Sequence, residues 1–313
     1  MKKSLKLVSA ALATTISISI APAVWANPPK NNQSTQSSQP NSVIRILTVD
    51  DLYRIRELAN GGENFEGKTI VLENNLYISE DEAKIEKQAE LSPMFKQNGG
   101  FKGTFDGNGK TLQFHATSSN IFGLIGENGT VKNLNITGRF KGNLDGGILT
   151  MYNGGTIDNC HVNVTAECTN SSVVGMCSLN GESGIIKNCS VEGDFSTNSM
   201  DCAGICDIND GTIDSCNVSG KFTNHSRILD KDHKPFWVPE TSAVALFNNG
   251  RVTNCHVDAD LINTYSRKLQ GCASGIVSIN KGLIENSTFK GTVAAEITGK
   301  IASSNYGKVK LCN

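Results

Sequence analysis

Two pairs of carboxylates, Glu192 with Asp194 and Asp258 with Asp260, have the types and spacing for acid–base chemistry. The members of each pair stand two residues apart, so an extended chain presents both on one face. Where strands bearing such pairs lie side by side, one carboxyl can protonate a glycosidic oxygen while another activates the attacking group. His161, Lys221 and His256 fall at outward positions by the same alternation. Solvated alternation along a strand produces this set without any catalytic role. A carbohydrate-active enzyme, a polysaccharide lyase or hydrolase using the outer strand face, is therefore the alternative reading and not the first one.

A different chemistry is gathered at 224–240, NHSRILDKDHKPFWVPE. Arg227, Asp232 and His233 lie close in sequence to the aromatic pair Phe236 and Trp237, the latter being the only Trp past the first 26 residues. Aromatic rings flanked by charges grip a sugar ring or a protein patch, so these five are the expected ligand-binding residues. Metal and phosphate chemistry are poorly served. Cys202-Ala203-Gly204-Ile205-Cys206 has no second close Cys or His pair to complete a zinc site. Asp106-Gly107-Asn108-Gly109-Lys110-Thr111 has the spacing of neither a phosphate loop nor a calcium loop and reads as a glycine-rich turn. No metal and no cofactor is expected.

The elements that position these groups begin after a leader. Lys2, Lys3 and Lys6, the apolar stretch Leu7 to Ile20 and the small residues flanking Trp25 predict a signal peptide over 1–26, cleaved after Ala26. No later stretch is apolar enough to span a bilayer, and the first cysteine, Cys160, lies too far on to be a lipid anchor. A secreted or bacterial cell-surface protein is expected, with the periplasm as the other destination. Residues 27–42 carry no aliphatic or aromatic side chain and read as a disordered linker. A formal net charge of −1, with no long basic cluster, argues against nucleic acid as a partner.

Residues 43–100 read as an N-terminal cap. Thr48 and Asp51 form a capping-box pattern, Leu52, Ile55 and Leu58 recur at helical spacing, and Gly61-Gly62 supplies a left-handed stop. Lys68–Leu72 and Leu76–Ile78 follow as strands.

From Phe122 onward the chain repeats one phrase: Gly, two apolar positions, Asn-x-Gly, then an anchor followed by x-Asn-Cys-x-Val-x-Gly-x-Phe. The anchors are Val131, Ile157, Ile186, Ile213, Val252, Ile284 and Val309, at spacings of 26, 29, 27, 39, 32 and 25 residues. Beyond each anchor the apolar positions fall two apart, which is strand alternation with one buried face. Between anchor and cysteine the step is three, so Asn133, Asn159, Asn188, Ser215, Asn254 and Asn286 must stand where the chain turns. Helical solenoids have similar periods, but no segment inside the repeat carries helical spacing. The pattern predicts an all-β parallel solenoid over 101–313 with a short N-terminal capping helix, stacked at about 4.8 Å per turn. The 39-residue spacing holds the inserted loop.

Ten cysteines in an exported chain ordinarily suggest a disulfide framework. Cys160, Cys189, Cys216 and Cys255 instead share one repeat position and predict an inward ladder of free thiols, with Cys177 and Cys206 forming a second. Cys168, Cys202 and Cys272 lie near corners where a neighbour could pair with them.

Phe101 to Leu112, followed by Phe122-Gly123-Leu124-Ile125-Gly126 and Gly129 to Leu134, resembles the GLUG-motif repeats of bacterial surface proteins. The resemblance covers roughly 44–313 and implies a right-handed parallel β-helix. It also implies a scaffold or binding surface, since such repeats accompany adhesins and certain secreted peptidases. The His-Glu-x-x-His helix of a metallopeptidase is absent from this chain. The resulting expectation is a binding or adhesion module for an extracellular glycan or protein ligand, with self-association through the C-terminal rung. A structural spacer in a surface assembly is the third reading.

Overall fold

Every turn of the chain lays down one strand in each of up to four sheets, and all strand pairings are parallel. The computed structural model describes residues 42–78, 100–118, 120–143, 146–169, 171–225, 239–264 and 271–313. The result is an all-β parallel solenoid with, among the described residues, one helix near its start. A ten-stranded sheet of mostly three-residue strands contains all seven anchors. The other three strands, Ser42–Ile46, Lys68–Leu72 and Thr104–Asp106, stack in front of them. Of the two expected cap strands, Lys68–Leu72 is thus a rung of this sheet, while Leu76–Ile78 pairs with Thr111–Ser118 in the eight-stranded sheet.

Short strand passes to long strand through one left-handed residue per turn. Asn133, Asn159, Asn188, Ser215, Asn254 and Asn286 have φ between 50 and 54°, as the three-residue step requires. The residue after each is Leu134, Cys160, Cys189, Cys216, Cys255 or Ser287, every one fully buried. An eight-stranded sheet follows, including His161–Cys168, Ser190–Thr197, Asn217–Asn224 and His256–Asn263. Its inward positions carry Val162, Val191, Val218 and Val257, then Phe195 and Phe222, whose rings stack at 4.9 Å. A five-stranded and a seven-stranded sheet complete the circuit.

The helix Val49–Asn60 opens with the expected reciprocal cap between Thr48 and Asp51. It buries Leu52, Ile55 and Ala59, while Leu58 is 53% exposed. The buried stripe follows i, i+3, i+7, which leaves Leu58 off its edge. Of the two glycines, Gly62 at φ 102° is the left-handed one; Gly61 remains helical.

Polar groups are stacked as regularly as apolar ones. Asn153, Asn180, Asn209, Asn248 and Asn280 are fully buried, each donating from Nδ2 to Oδ1 of the Asn one turn on, ending at Asn305. On the outer face of the ten-stranded sheet, Lys132 pairs with Asp106, Lys187 with Asp158 and Lys310 with Glu285. Acid and base alternate there from rung to rung, so much of that face neutralises itself.

Candidate functional site

The outer face of the eight-stranded sheet is built differently. Strand alternation aims two columns of side chains outward across its middle. One runs Thr137, Asn163, Glu192, Ser219, Asp258, Lys290 and the other Arg139, Thr165, Asp194, Lys221, Asp260, Thr292. Between them lie Gly138, Val164, Gly193, Gly220, Ala259 and Gly291. Gly193 has φ 134°, and a Cβ on it would stand 1.9 Å from the Val164 carbonyl oxygen. Only a residue without Cβ fits there at that φ against the previous rung. An open depression of ≈ 460 Å³ lies over this column, and its rim carries Asn163, Thr165, Glu192, Asp194 and Ser219.

All four carboxylates expected to do acid–base work stand on this face, but not as neighbours. Glu192 lies between Asn163 and Ser219, and Asp194 between Thr165 and Lys221. Asp258 and Asp260 come one rung later, beyond Ser219 and Lys221. The expected pairing across adjacent rungs is not formed, because the intervening strand Asn217–Asn224 carries a hydroxyl and an ammonium at the two positions. Asp258 is held by Lys290 at 2.9 Å, and Asp260 accepts hydrogen bonds from the Thr292 N–H and hydroxyl. Glu192 and Asp194 are exposed on the rim. The adjacent rungs set amides, hydroxyls and a lysine beside them. The face thus presents amide, hydroxyl, carboxylate and ammonium groups side by side.

A group of acids that sequence reasoning missed lies elsewhere. The register pairs Cys202 with Thr241, which sets Asp201 beside Glu240, and the Glu240 N–H donates to Asp201 Oδ1 at 2.9 Å. Burial and the nearby Asp201 push Asp207 up to about 8 and Glu240 well above the carboxylate range. Glu240 Oε2 has no geometrically formed hydrogen bond, although the Ser278 hydroxyl is near enough to favour its charge. No signal in the chain pointed here, since the contact arises across the 39-residue spacing. Among the described residues no cluster of His, Cys, Asp or Glu is arranged to hold a metal.

All ten cysteines are free. The four-membered ladder and the Cys177–Cys206 neighbours stand as expected, while Cys168, Cys202 and Cys272 form no disulfide. Cys202 and Cys206 belong to different sheets, so their sequence spacing does not make them a pair. Burial pushes the Cys160, Cys202 and Cys206 thiols well up.

Arg227, Asp232, His233, Phe236 and Trp237 lie outside the described residues. No helix among the described residues is long and apolar enough to cross a membrane. No protein-family model matches the chain and no curated protein matches it. Among solved structures it is similar to one described as a candidate immunoglobulin A1 protease from Bacteroides ovatus. The TM-score is 0.54 at 14% identity, covering 85% of this chain and 84% of the other. At that identity the likeness establishes the solenoid fold alone.

Proposed function

We propose that this chain is an exported, cell-surface or secreted β-helical binding module that holds an extracellular glycan or protein ligand without cleaving it. The observation that carries this reading is the outer face of the long sheet, where a column rich in small residues leaves a polar depression between Glu192 and Asp194. Side chains fixed on stacked strands present hydroxyl, amide and carboxylate groups at a regular spacing of about 4.8 Å, which suits repeated polar contacts along a chain-like ligand. The leader over 1–26 and the likeness to GLUG-motif repeats support export and a surface role. The inserted segment adds Phe236 and Trp237 as a second set of contacts, argued from residue type alone.

The test is a glycan and extracellular-matrix array probed with the mature protein, with immunoglobulin A included because of the structural neighbour's description. A Glu192→Gln, Asp194→Asn double variant is expected to lose the retained ligand. A Phe236→Ala, Trp237→Ala variant reports on the insertion. Recovery of shortened or unsaturated glycan, or of cut immunoglobulin, would replace this reading with an enzymatic one.

A further inference from the structure

Five residues on four successive rungs form a directed chain of hydrogen bonds that ends on a serine. Asp106 is its fixed end. Burial works against its charge, but hydrogen bonds from the Asn133 side chain, the Asn108 N–H and Lys132 outweigh that and hold the carboxyl below its ordinary value. A carboxylate only accepts, so the group 3.0 Å from its Oδ1 is Asn133 Nδ2. That orientation leaves Asn133 Oδ1 to accept from Asn159 Nδ2 at 2.9 Å. Asn159 Oδ1 then faces His161 Nε2 at 3.2 Å, which places the imidazole proton on Nε2. His161 Nδ1 is left with a lone pair, and Ser190 Oγ stands 2.8 Å from it in the adjacent strand. The serine hydroxyl must be the donor.

We propose that Ser190 is a nucleophile activated by His161, with Asn159 as the positioning residue, and that it accepts acyl groups from carboxylic esters. His161 and Ser190 are both half-buried and so within reach of a small ester. Ser190 Oγ attacks the ester carbonyl as its proton passes to His161 Nδ1. The carbon–oxygen bond to the leaving alcohol then breaks, and that oxygen takes the proton back from His161. The products are acyl-Ser190 and a free alcohol, with no redox partner required.

The molecule carries its own comparison. His256 Nδ1 lies 2.9 Å from the Thr288 hydroxyl at the same register. There the Asn254 Oδ1 already accepts from Asn286 Nδ2. In the His161 rung, Asn188 turns its Nδ2 to Asp158 and leaves Asn159 Oδ1 to the histidine. Of these two histidines, His161 is the one with an amide oxygen within hydrogen-bonding distance of Nε2.

The experiment exposes the mature protein to p-nitrophenyl acetate and follows acetylation by peptide mass mapping. Acetyl is expected on Ser190, absent in Ser190→Ala, slowed about 100-fold in His161→Gln, and unchanged in Thr288→Ala. Histidine nitrogen NMR on the wild type is expected to show His161 as the Nε2–H tautomer, lost in Asn159→Ala together with the fast acetylation. Label spread over surface hydroxyls with no preference for Ser190, an unaffected His161→Gln protein, or an Nδ1–H tautomer would overturn the proposal.

Discussion

Asn180 Nδ2 lies 2.8 Å from Asn209 Oδ1, and both side chains are fully buried, so two amides that would ordinarily seek water satisfy one another across a turn. Asn209 passes the contact on to Asn248 at 2.7 Å and also donates to the Arg251 carbonyl. A ladder of this kind fixes register: a slip of one residue would leave buried amides with no partner on either side.

Asn209→Ala is therefore expected to lower stability by about 3 kcal/mol in urea denaturation, because it strands the side-chain Oδ1 of Asn248 as well as removing its own bonds. Asn249→Ala, one residue past Asn248, removes a 2.7 Å bond to Asp210 that is exposed to solvent. Its cost is expected to stay within about 0.5 kcal/mol. Equal losses from the two variants would refute the ladder's role.

Asp207 gives the protein a pH dependence with a definite sign. Its native value near 8 lies above the ordinary 3.8, and Asp201 and Glu240 are the acids that face it. Between those two values the folded chain keeps a proton that the unfolded chain has released. Stability on this account falls as pH rises from about 4 to 8, at most about 1.4 kcal/mol per unit, and is level above 8. Asp207→Asn is expected to flatten that slope and to raise the urea midpoint above pH 8. Parallel curves for variant and wild type would exclude the carboxyl as its source.

Two asparagine columns run through the same repeat, and only one was readable in advance. Asn159 and its counterparts follow an anchor by two residues, where the change of direction demands positive φ, so residue type and spacing lead to the corner. Asn209 and its counterparts sit in an Asn-x-Gly phrase that looks like a turn, widened to Asn-Gly-Glu-Ser-Gly at Asn180. Their burial follows only from what the neighbouring rung offers each amide. The outward face was likewise predictable from alternation. The register across it follows from the anchors as well: eight residues past Ile186, Ile213 and Val252 stand Asp194, Lys221 and Asp260, as the strand pairing has them. Asp201 meets Glu240 across an insertion of a length that pattern alone does not align.

Thiol chemistry should separate Cys312 from the rest. Eight cysteines are buried, leaving Cys272 and Cys312 half-buried. Burial and the neighbouring Glu240 push the Cys272 thiol up to about 12, which keeps its thiolate scarce at pH 8. Titration with an aromatic disulfide reagent on the folded protein is expected to modify Cys312 first. The eight buried thiols should react only on addition of denaturant. Immediate reaction of Cys160 or Cys216 would mean that the ladder opens in the native state.

Gly193 and Gly109 separate backbone conformation from close approach. Both have positive φ, but a Cβ on Gly109 meets nothing within 4 Å, whereas on Gly193 it runs into the Val164 carbonyl. Gly109→Ala is expected to cost about 1 kcal/mol, the price of the left-handed backbone alone. Gly193→Ala must also push two rungs apart or shift the strand, and should cost about 3 kcal/mol or more. Either would also reshape the depression between Glu192 and Asp194. At a temperature where the variant remains folded by circular dichroism, it is expected to lose the array ligand that Gly109→Ala retains. If folded Gly193→Ala keeps that ligand at full affinity, this face is not where it binds.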